Sequence, residues 1–438
     1  MSAPMSLGIL GVLSVGLADA YFLGQLGEEP LAAVGYIYPV TAAITSLSIG
    51  LSAGANAAVS QAIGRKDGED AEQRLALHAL VLGVSLSLVI AAAFYLLSGP
   101  LFRLIGAGDP VMEEINKYIP FWTLSFPVLV LMMLSQATFR AHGDGASAAA
   151  IMVGSALINI AITPVFIYGT WIAPELGTGG AALATLIARV LGAAAALYWA
   201  IHTNRLKWCA EPFKNIWSSF AQITKVGAPA ALSNSINPAG MAAVTAAVAT
   251  LGETAVAGFG AATRVQSLVL VPMMALSAGI GPVVGQNWGA EKHDRAAAGL
   301  HWALWFCLGY GLLMGLVLAV FGGVIAEWIA GDGQAADQAA LYLRLVGWSL
   351  FGYGFVVVSN AAMNARDKAV WSMALSLGRI FLLYLPGAWL GVWLFDFTGV
   401  LMAAILANLV AALAAVWMAT RTDLLKPREL PLPDSVKA

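Results

Sequence analysis

The sequence predicts an all-α membrane protein with 12 transmembrane helices in two six-helix lobes, related by a pseudo-two-fold axis along the membrane normal. Three observations predict this fold: an apolar composition, twelve long apolar stretches, and an internal repeat. Of the 438 residues, 60% are hydrophobic and 11% are charged, whereas a soluble domain carries about 25% charged residues. The composition therefore excludes an ordinary soluble enzyme and a disordered chain.

Net charge and reactive residues exclude further classes of protein. A formal net charge of −2 provides no basic field for nucleic acid, so we expect no nucleic-acid partner. Cys209 and Cys307 lie in different settings, which argues against a disulfide or a thiolate metal site. There is no Walker A motif for ATP, no HExxH motif, and no metal-ligand spacing among the five His residues. We therefore expect no cofactor and no metal.

Twelve apolar stretches are long enough to cross a bilayer, which needs about 20 mostly apolar residues per helix. Helix is the expected structure because each span must satisfy its own backbone hydrogen bonds. The first stretch has no basic lead-in and is followed by similar ones, so it is not a cleavable signal peptide; we expect that an upstream cytoplasmic lead-in is missing. The stretches are 3–24, 35–62, 75–98, 118–139, 147–170, 180–202, 218–249, 257–286, 297–321, 339–363, 369–393 and 398–420.

The distribution of Lys and Arg predicts the orientation, because short cytoplasmic loops are rich in these residues. Alternate connections and the C-terminal tail hold fifteen of the 22, whereas the opposite connections hold only Arg103 and Lys117. We therefore expect both termini to be cytoplasmic, in a bacterial inner membrane. The fifteen are Arg65, Lys66, Arg74, Arg140, Arg205, Lys207, Lys214, Lys292, Arg295, Arg366, Lys368, Arg421, Lys426, Arg428 and Lys437.

An internal repeat relates the two halves. Residues 3–64 align without a gap with residues 228–289, an offset of 225, and 17 of 62 positions are identical, including Gln61/Gln286. Each half holds six spans, so both repeats have the same orientation, an arrangement found in transporters with a substrate site between the halves. We expect an N-terminal lobe at 1–203, a cytoplasmic linker at 204–217, a C-terminal lobe at 218–420 and a cytoplasmic tail at 421–438.

Several segments resemble the multidrug and toxic compound extrusion (MATE) transporters, most closely their DinF-like branch. The first-helix segment LADAYFLGQLGEEPLAAVG carries this resemblance, with SQAIGRKD, FRAHGD, INIAITPVFIYG and GQNWGAEKHDRA at later helix ends. The resemblance implies cation-coupled antiport that exports amphiphilic, often cationic organic compounds. It also implies that the chain begins inside the family's first helix, with Pro4 as the kink proline upstream of the helix-one acid.

Asp19 is the main candidate for ion coupling. It is the only acid well inside an apolar span, and a charge near the middle of the bilayer costs roughly 2.5–3.5 kcal/mol, so it is expected to face water or a partner. The alternative is an acid near a helix end, because Asp19 lies a few residues from the predicted outer boundary. The family motif favours a role in coupling.

Three polar residues are candidates for the same ion site. Asn159 and Thr163 lie four apart, hence on one helix face, and Thr185 is on the next span. The resemblance implies an Asn and an Asp at the first two positions, but Thr163 stands where the family has Asp. Because Na⁺ needs several oxygen ligands and compensating charge, this difference favours H⁺ over Na⁺. The alternative role is hydrogen bonding between helices.

Proline and polar residues point to conformational and substrate roles. Pro4 and Pro229 occupy equivalent repeat positions, and each either creates a movable kink or a static bend. Asn234 and Asn237 lie in a Pro-rich seventh span and either contact substrate in the cavity or pack between helices.

Other side chains are plausible cavity residues. Flexible Met and aromatic side chains suit promiscuous binding, although a position at the membrane interface is the ordinary alternative. Arg189 and Arg379 lie within spans and have no evident acidic partner in the sequence. The cavity candidates are Tyr36, Tyr38, Gln136 and Met241.

These features together predict a monomeric efflux antiporter for small organic molecules, coupled to protons and surrounded by membrane lipid. One alternative is a flippase for lipid-linked precursors, which would need a strongly cationic cleft. Another is an intramembrane enzyme, which would need clustered acids or a metal set inside the spans.

Overall fold

The computed structural model of the chain describes residues 2–170, 174–207 and 211–425. Cys209 and the predicted cytoplasmic cations Lys426, Arg428 and Lys437 lie outside these residues, as does most of the predicted tail at 421–438.

The described regular structure is almost entirely helical. The first half contains six helices: α1 (Ser2–Gly24), α2 (Glu28–Arg65), α3 (Glu69–Leu104), α4 (Asp109–Ala141), α5 (Gly145–Tyr168) and α6 (Thr178–His202). The second half contains α7 (Ile216–Ala249), α8 (Glu253–Val269), α9 (Val271–Gly289), α10 (His293–Ala330), α11 (Gln334–Val346), α12 (Leu350–Ala365), α13 (Ala369–Leu377) and α14 (Leu385–Arg421). A short 3₁₀ turn (Gly347–Ser349) joins α11 to α12, and a π-helical segment (Gly378–Tyr384) joins α13 to α14.

The predicted spans correspond to these helices, with differences in the second half. Among the described residues, nine helices are apolar and long enough to cross a membrane, or ten if a bent pair counts as one span. The bent pair is α8 and α9, which meet at 43°, so the span predicted at 257–286 is present but bent near its middle. Pro272 provides the physical reason, because it cannot donate a backbone hydrogen bond to the preceding turn.

The last two spans lie in one long helical stretch, 369–421, which includes the π-helical segment. Its helical geometry is interrupted at two residues. Phe395 (φ −141°, ψ 19°) and Asp396 (φ 51°, ψ −138°) have non-helical backbone angles, at the connection predicted between 393 and 398. The seventh span, α7, is outside the set of nine. Asn, Ser and Pro residues interrupt its apolar sequence.

The repeated motif Leu-Gly-Glu forms the same turn in both halves. Gly27 (φ 144°) precedes α2 and Gly252 (φ 107°) precedes α8, both in the region of positive φ that favours glycine. The glutamates that follow, Glu28 and Glu253, lie in the first helical turn, where a negative charge is favoured by the helix dipole. The repeat therefore preserves a helix-start device.

Buried apolar side chains form two large clusters, one in each half. The larger extends from Ile236 to Leu424, and the other from Ala33 to Ala193, with Ile223 of α7 added to it. The separation of these clusters is the physical basis of the two lobes predicted from the sequence.

The two lobes meet closely where α2 and α9 end. Gln61 donates from Nε2 to the carbonyl of Ala365 at 2.7 Å, and Gln286 donates in the same way to the carbonyl of Ala141 at 2.6 Å. Ala365 and Ala141 are the last residues of α12 and α4, whose terminal carbonyls have no intrahelical partner. Each lobe thus caps a helix of the other through the repeat-related glutamines, at the face that the sequence assigns to the cytoplasm.

Glycines make this contact possible. A Cβ added at Gly64 would overlap the carbonyl of Gln286, and a Cβ at Gly289 would overlap the carbonyl of Gln61. The backbones of α2 and α9 therefore approach to a distance that only glycine permits.

Candidate functional site

Asp19 lies on α1 and faces the N-terminal lobe. Its Oδ1 atom is buried and has no hydrogen-bond partner within the described chain. The hydroxyl of Thr163 on α5 approaches the carboxyl group, and Arg189 on α6 is the charged group that acts on it. Asp19 is therefore set against the interior of the lobe.

The predicted polar residues on α5 and α6 of the N-terminal lobe form one network. Asn159 donates from Nδ2 to the hydroxyl of Thr185 at 3.1 Å, and Thr163 donates to the backbone carbonyl of Asn159 at 2.8 Å. All three are buried, with exposed fractions of 3%, 8% and 0%. The structure thus brings together Asp19, Asn159, Thr163 and Thr185, as the sequence grouped them.

The sequence analysis did not assign two neighbours of this cluster to it. Arg189 had no evident acidic partner in the sequence, but the structure places it near Asp19, and its Nη1 donates to the hydroxyl of Ser125 on α4 at 2.6 Å. Tyr118, also on α4, lies within electrostatic range of both Asp19 and Arg189. The available signal for Arg189 was its position inside an apolar span, since such charges seek a partner.

The helix that carries Asp19 is only partly covered by the rest of the described chain. Only Met5, Gly8 and Leu23 of α1 are buried, and the contact with α5 includes Gly8 against Met152 and Gly11 against Ala156. One face of α1 therefore packs on α5, while most of its surface is not covered by other helices.

Pro4 and Pro229 both lie within helices. Pro4 is near the start of α1, and Pro229 lies inside α7, where it cannot donate a backbone hydrogen bond to the preceding turn. Neither helix is divided at its proline. A conformational role for either proline stays a prediction.

A cavity of about 350 Å³ lies between the lobes. Helices α1, α2, α4 and α5 line one side, and α7, α9, α12 and α13 line the other. Gln136, Asn234 and Asn237 are in its wall, as the sequence predicted, together with Arg140. Its volume lies within the roughly 300–1,000 Å³ of small-molecule sites.

Three predicted cavity residues lie elsewhere. Tyr36 donates from its hydroxyl to the carbonyl of Gly106 at 3.2 Å and so ties α2 to the turn after α3. Tyr38 has an exposed fraction of 68% and is absent from the wall of the central cavity. Met241 borders a much smaller cavity within the C-terminal lobe. Residue type alone predicted these side chains, and the rotation of each helix turns them away.

Arg379 in the π-helical segment is almost fully buried in the C-terminal lobe. Its guanidinium donates to Oδ1 of Asn408 at 3.2 and 3.3 Å and to Oδ1 of Asn237 at 3.2 Å. It also lies 4.8 Å from the ring centroid of Tyr353. Within the described ranges it forms no ion pair with a carboxylate. Its charge is therefore held by neutral oxygens and a ring face, directly behind the wall of the central cavity.

Asp19 and the cavity share α1 but are separated along it. Met5 and Ile9 of α1 line the cavity, and Asp19 is ten residues further on, about 15 Å at 1.5 Å per residue. A movement of α1 would therefore reach both places at once.

Comparison with known proteins supports the repeat and the fold. The sequence model of the MatE family matches residues 4–165 and 229–390. The two matches begin and end 225 residues apart, the offset found within the sequence itself.

Relatives resemble the chain over nearly all its length. A protein of Shewanella oneidensis named "FAD transporter" is 34% identical over 423 residues, 96% of this chain and 93% of that protein. "Multidrug export protein MepA" of Staphylococcus aureus is 25% identical over 428 residues, 95% of this chain and 91% of that protein. The crystal structure of the Vibrio cholerae MATE transporter VcmN in the bent form matches with a TM-score of 0.91 and 30% identity, covering 97% and 95% of the two chains.

Proposed function

The chain belongs to the MatE family of membrane transporters, and we propose that it exports amphiphilic organic compounds in exchange for protons. The observation that carries the proposal is the Asp19 carboxyl group, buried on one oxygen and set against a polar network of α5 and α6. Carboxyl groups inside membranes commonly serve as proton relays. Family members are transporters, so the intramembrane-enzyme alternative is dropped.

The surroundings of Asp19 favour a proton over Na⁺ as the coupling ion. A sodium ion needs several oxygen ligands and compensating negative charge. The described cluster offers amide and hydroxyl oxygens from Asn159, Thr163 and Thr185, but its negative charge comes from one carboxylate, that of Asp19. Arg189 lies close enough to act on the carboxyl group, and its positive charge opposes a second cation at that place. A proton binds one carboxyl oxygen and needs no ligand shell.

Coupling between ion and substrate would run through α1. When Asp19 is ionised it attracts Arg189, and protonation removes that attraction, so the two states of α1 differ in free energy. Because Met5 and Ile9 of the same helix line the cavity, a shift of α1 changes the substrate site. Linkage requires the converse, so bound substrate must disfavour protonation of Asp19.

Proteoliposomes containing the purified protein test this proposal. An imposed proton gradient should drive uptake of a fluorescent organic substrate, and an imposed sodium gradient should not. Asp19→Asn should abolish proton-driven transport, whereas Asp332→Asn, in the exposed turn after α10, should leave it unchanged. Full proton-driven transport by the Asp19 variant would refute the mechanism.

Export of a flavin nucleotide is a second candidate function. The Shewanella relative named "FAD transporter" is 34% identical over 96% of the chain, whereas the multidrug relative from Staphylococcus aureus is 25% identical. The flavin fluorescence of FAD loaded into proteoliposomes provides a direct assay of its export. The lipid-linked precursor flippase would need a strongly cationic cleft, and one arginine in the cavity wall does not favour it.

Location and assembly complete the proposal. The many apolar helices make this a multi-pass membrane protein, and we assign it to a bacterial inner membrane as a monomer with both termini in the cytoplasm. The Lys and Arg distribution supports this orientation. Cysteine labelling of Lys66→Cys from each side of the membrane tests it.

A further inference from the structure

The wall of the central cavity carries a positive charge and, among the described residues, no Asp or Glu. We propose that this cavity binds organic anions, molecules with a phosphate or carboxylate group and hydrogen-bond donors elsewhere on the same scaffold. The inference rests on the proposed export function and names the substrate class. It departs from the often cationic compounds that the family resemblance implies.

Arg140 is the group that would bind the anion. It lines the cavity from the last turn of α4, and the hydrogen bond it makes within the described chain runs from Nη2 to the hydroxyl of Ser52 at 2.8 Å. No described carboxylate lies within ion-pair distance of it. A guanidinium has five N–H donors in a planar fork that matches phosphate and carboxylate, so one bond to Ser52 leaves most of its donors for a ligand.

Gln136 supplies a second, independent observation. It lies one turn before Arg140 on α4, lines the same cavity, and has an exposed fraction of 3%. Its Nε2 atom is buried and has no hydrogen-bond partner in the described structure. A buried amide without a partner is unfavourable, and an anionic oxygen held by Arg140 would satisfy it.

The C-terminal lobe adds positive potential from behind the opposite wall. Arg379 donates to Asn237, whose side chain lines the cavity, and packs on the ring of Tyr353, which also lines it. Its charge meets only neutral oxygens among the described residues. A buried guanidinium without a counter-ion is costly, and an anion in the cavity would compensate both arginines, one from each lobe.

The same wall offers acceptors for the other end of a ligand. Oδ1 of Asn360, Oδ1 of Asn364 and the hydroxyl of Ser372 are buried and unpaired in the described structure, and all three residues line the cavity. Donors thus lie on the α4 side and free acceptors on the α12–α13 side. The arrangement fits an anion whose scaffold also carries N–H or O–H groups.

Two dyes with one ring system and opposite charge test the proposal. Fluorescein is an anion at alkaline pH and rhodamine 123 is a cation, and both are xanthenes. Equilibrium binding to the purified protein in phosphatidylcholine nanodiscs is measured by fluorescence anisotropy. We expect tighter binding of fluorescein. Equal binding of the two dyes, or tighter binding of rhodamine 123, overturns the proposal.

Substitutions then locate the anion. Arg140→Gln should weaken fluorescein binding by about 10- to 100-fold and leave rhodamine 123 within about twofold, and Arg140→Lys should retain part of the affinity. Gln136→Glu should weaken fluorescein and strengthen rhodamine 123. Arg103→Gln, whose side chain is 71% exposed, is the matched control and should change neither. A similar loss for both dyes in Arg140→Gln means a structural role and refutes the assignment.

A competition experiment distinguishes a soluble anion from a lipid headgroup as the occupant of the site. Phosphatidylglycerol in the nanodiscs should not compete with fluorescein if the site takes soluble anions. Strong competition would mean that the site holds a lipid headgroup and would refute the substrate assignment.

The anion site and the proposed antiport can be refuted separately. Binding is measured without any gradient, so it is independent of coupling. Fluorescein binding without a response to proton gradients refutes only the proposed antiport, and proton-driven export with no preference for fluorescein refutes only the anion site.

Discussion

Removing the reciprocal glutamine contacts should open the face at which α2 and α9 meet. In Gln61→Leu the terminal carbonyl of α12 loses its donor, and in Gln286→Leu the terminal carbonyl of α4 loses its donor. Each hydrogen bond contributes about 1 kcal/mol net, so the two together contribute about 2 kcal/mol. The double variant should therefore lower the ratio of closed to open molecules roughly 30-fold, since about 1.4 kcal/mol is a factor of ten.

Spin labels at the repeat-related positions Lys66→Cys and Glu291→Cys, both exposed, report this opening. The native cysteines Cys209 and Cys307 are first replaced by alanine, and distances are measured by double electron–electron resonance. We expect a short-distance population in the parent protein and a longer one that dominates in the double variant.

Gln73→Leu is the matched control for this experiment. Gln73 also donates from Nε2 to a backbone carbonyl, that of Asn204, at 2.8 Å, but α3 and the turn after α6 both belong to the N-terminal half. Its loss should lower thermal stability without changing the distances. If the double glutamine variant keeps the parent distribution, the contacts do not hold the face closed and the argument fails.

Three further predictions concern other residues. Gly289→Ala should also favour the open form, because its Cβ would overlap the carbonyl of Gln61; the same spin-label pair measures it, and an unchanged distribution would contradict the close approach. Asp144 is the N-cap residue of α5, and its carboxylate accepts a hydrogen bond from the backbone N–H of Ser147 at 2.9 Å. Asp144→Ala should therefore destabilise the protein by about 1–2 kcal/mol, seen as earlier thermal unfolding in detergent. Burial raises the pKa of Asp144, but hydrogen bonds from Ser147 and the ion pair with Arg205 at 2.8 Å hold it below 3.8 overall. This stabilisation is therefore present above pH 3.8 and disappears as the pH falls through the lower folded pKa; a difference between the variant and the parent that persists in stronger acid would contradict it. Thr163→Asp should make transport respond to sodium, because it adds a second carboxylate beside Asp19, and transport in opposing sodium and proton gradients decides this.

Much of the fold could be predicted because a bilayer makes strong demands on sequence. Every crossing needs about 20 apolar residues, so hydropathy along the chain located the spans, although some helices extend up to nine residues beyond the predicted limits. The bend between α8 and α9 was missed because hydropathy is blind to backbone geometry, although Pro272 was a visible signal.

The candidate sites were predicted unevenly, for a physical reason. Asp19 and Asn159 could be selected because polar groups are costly in a membrane and stand out there. Tyr36, Tyr38 and Met241 could not be judged in the same way, because aromatic and apolar residues fit equally well against lipid, the protein core or a cavity.

By itself, the sequence determined that this chain is a duplicated bundle of membrane helices with an isolated acid in the first one, since apolar length and repeated motifs are local properties. Only the tertiary structure decided which side chains meet. Arg189 lies 170 positions from Asp19 in the sequence, and Gln61 lies 304 positions from the carbonyl it caps. Such contacts depend on the rotation and tilt of each helix against its neighbours, which packing determines and hydropathy leaves open.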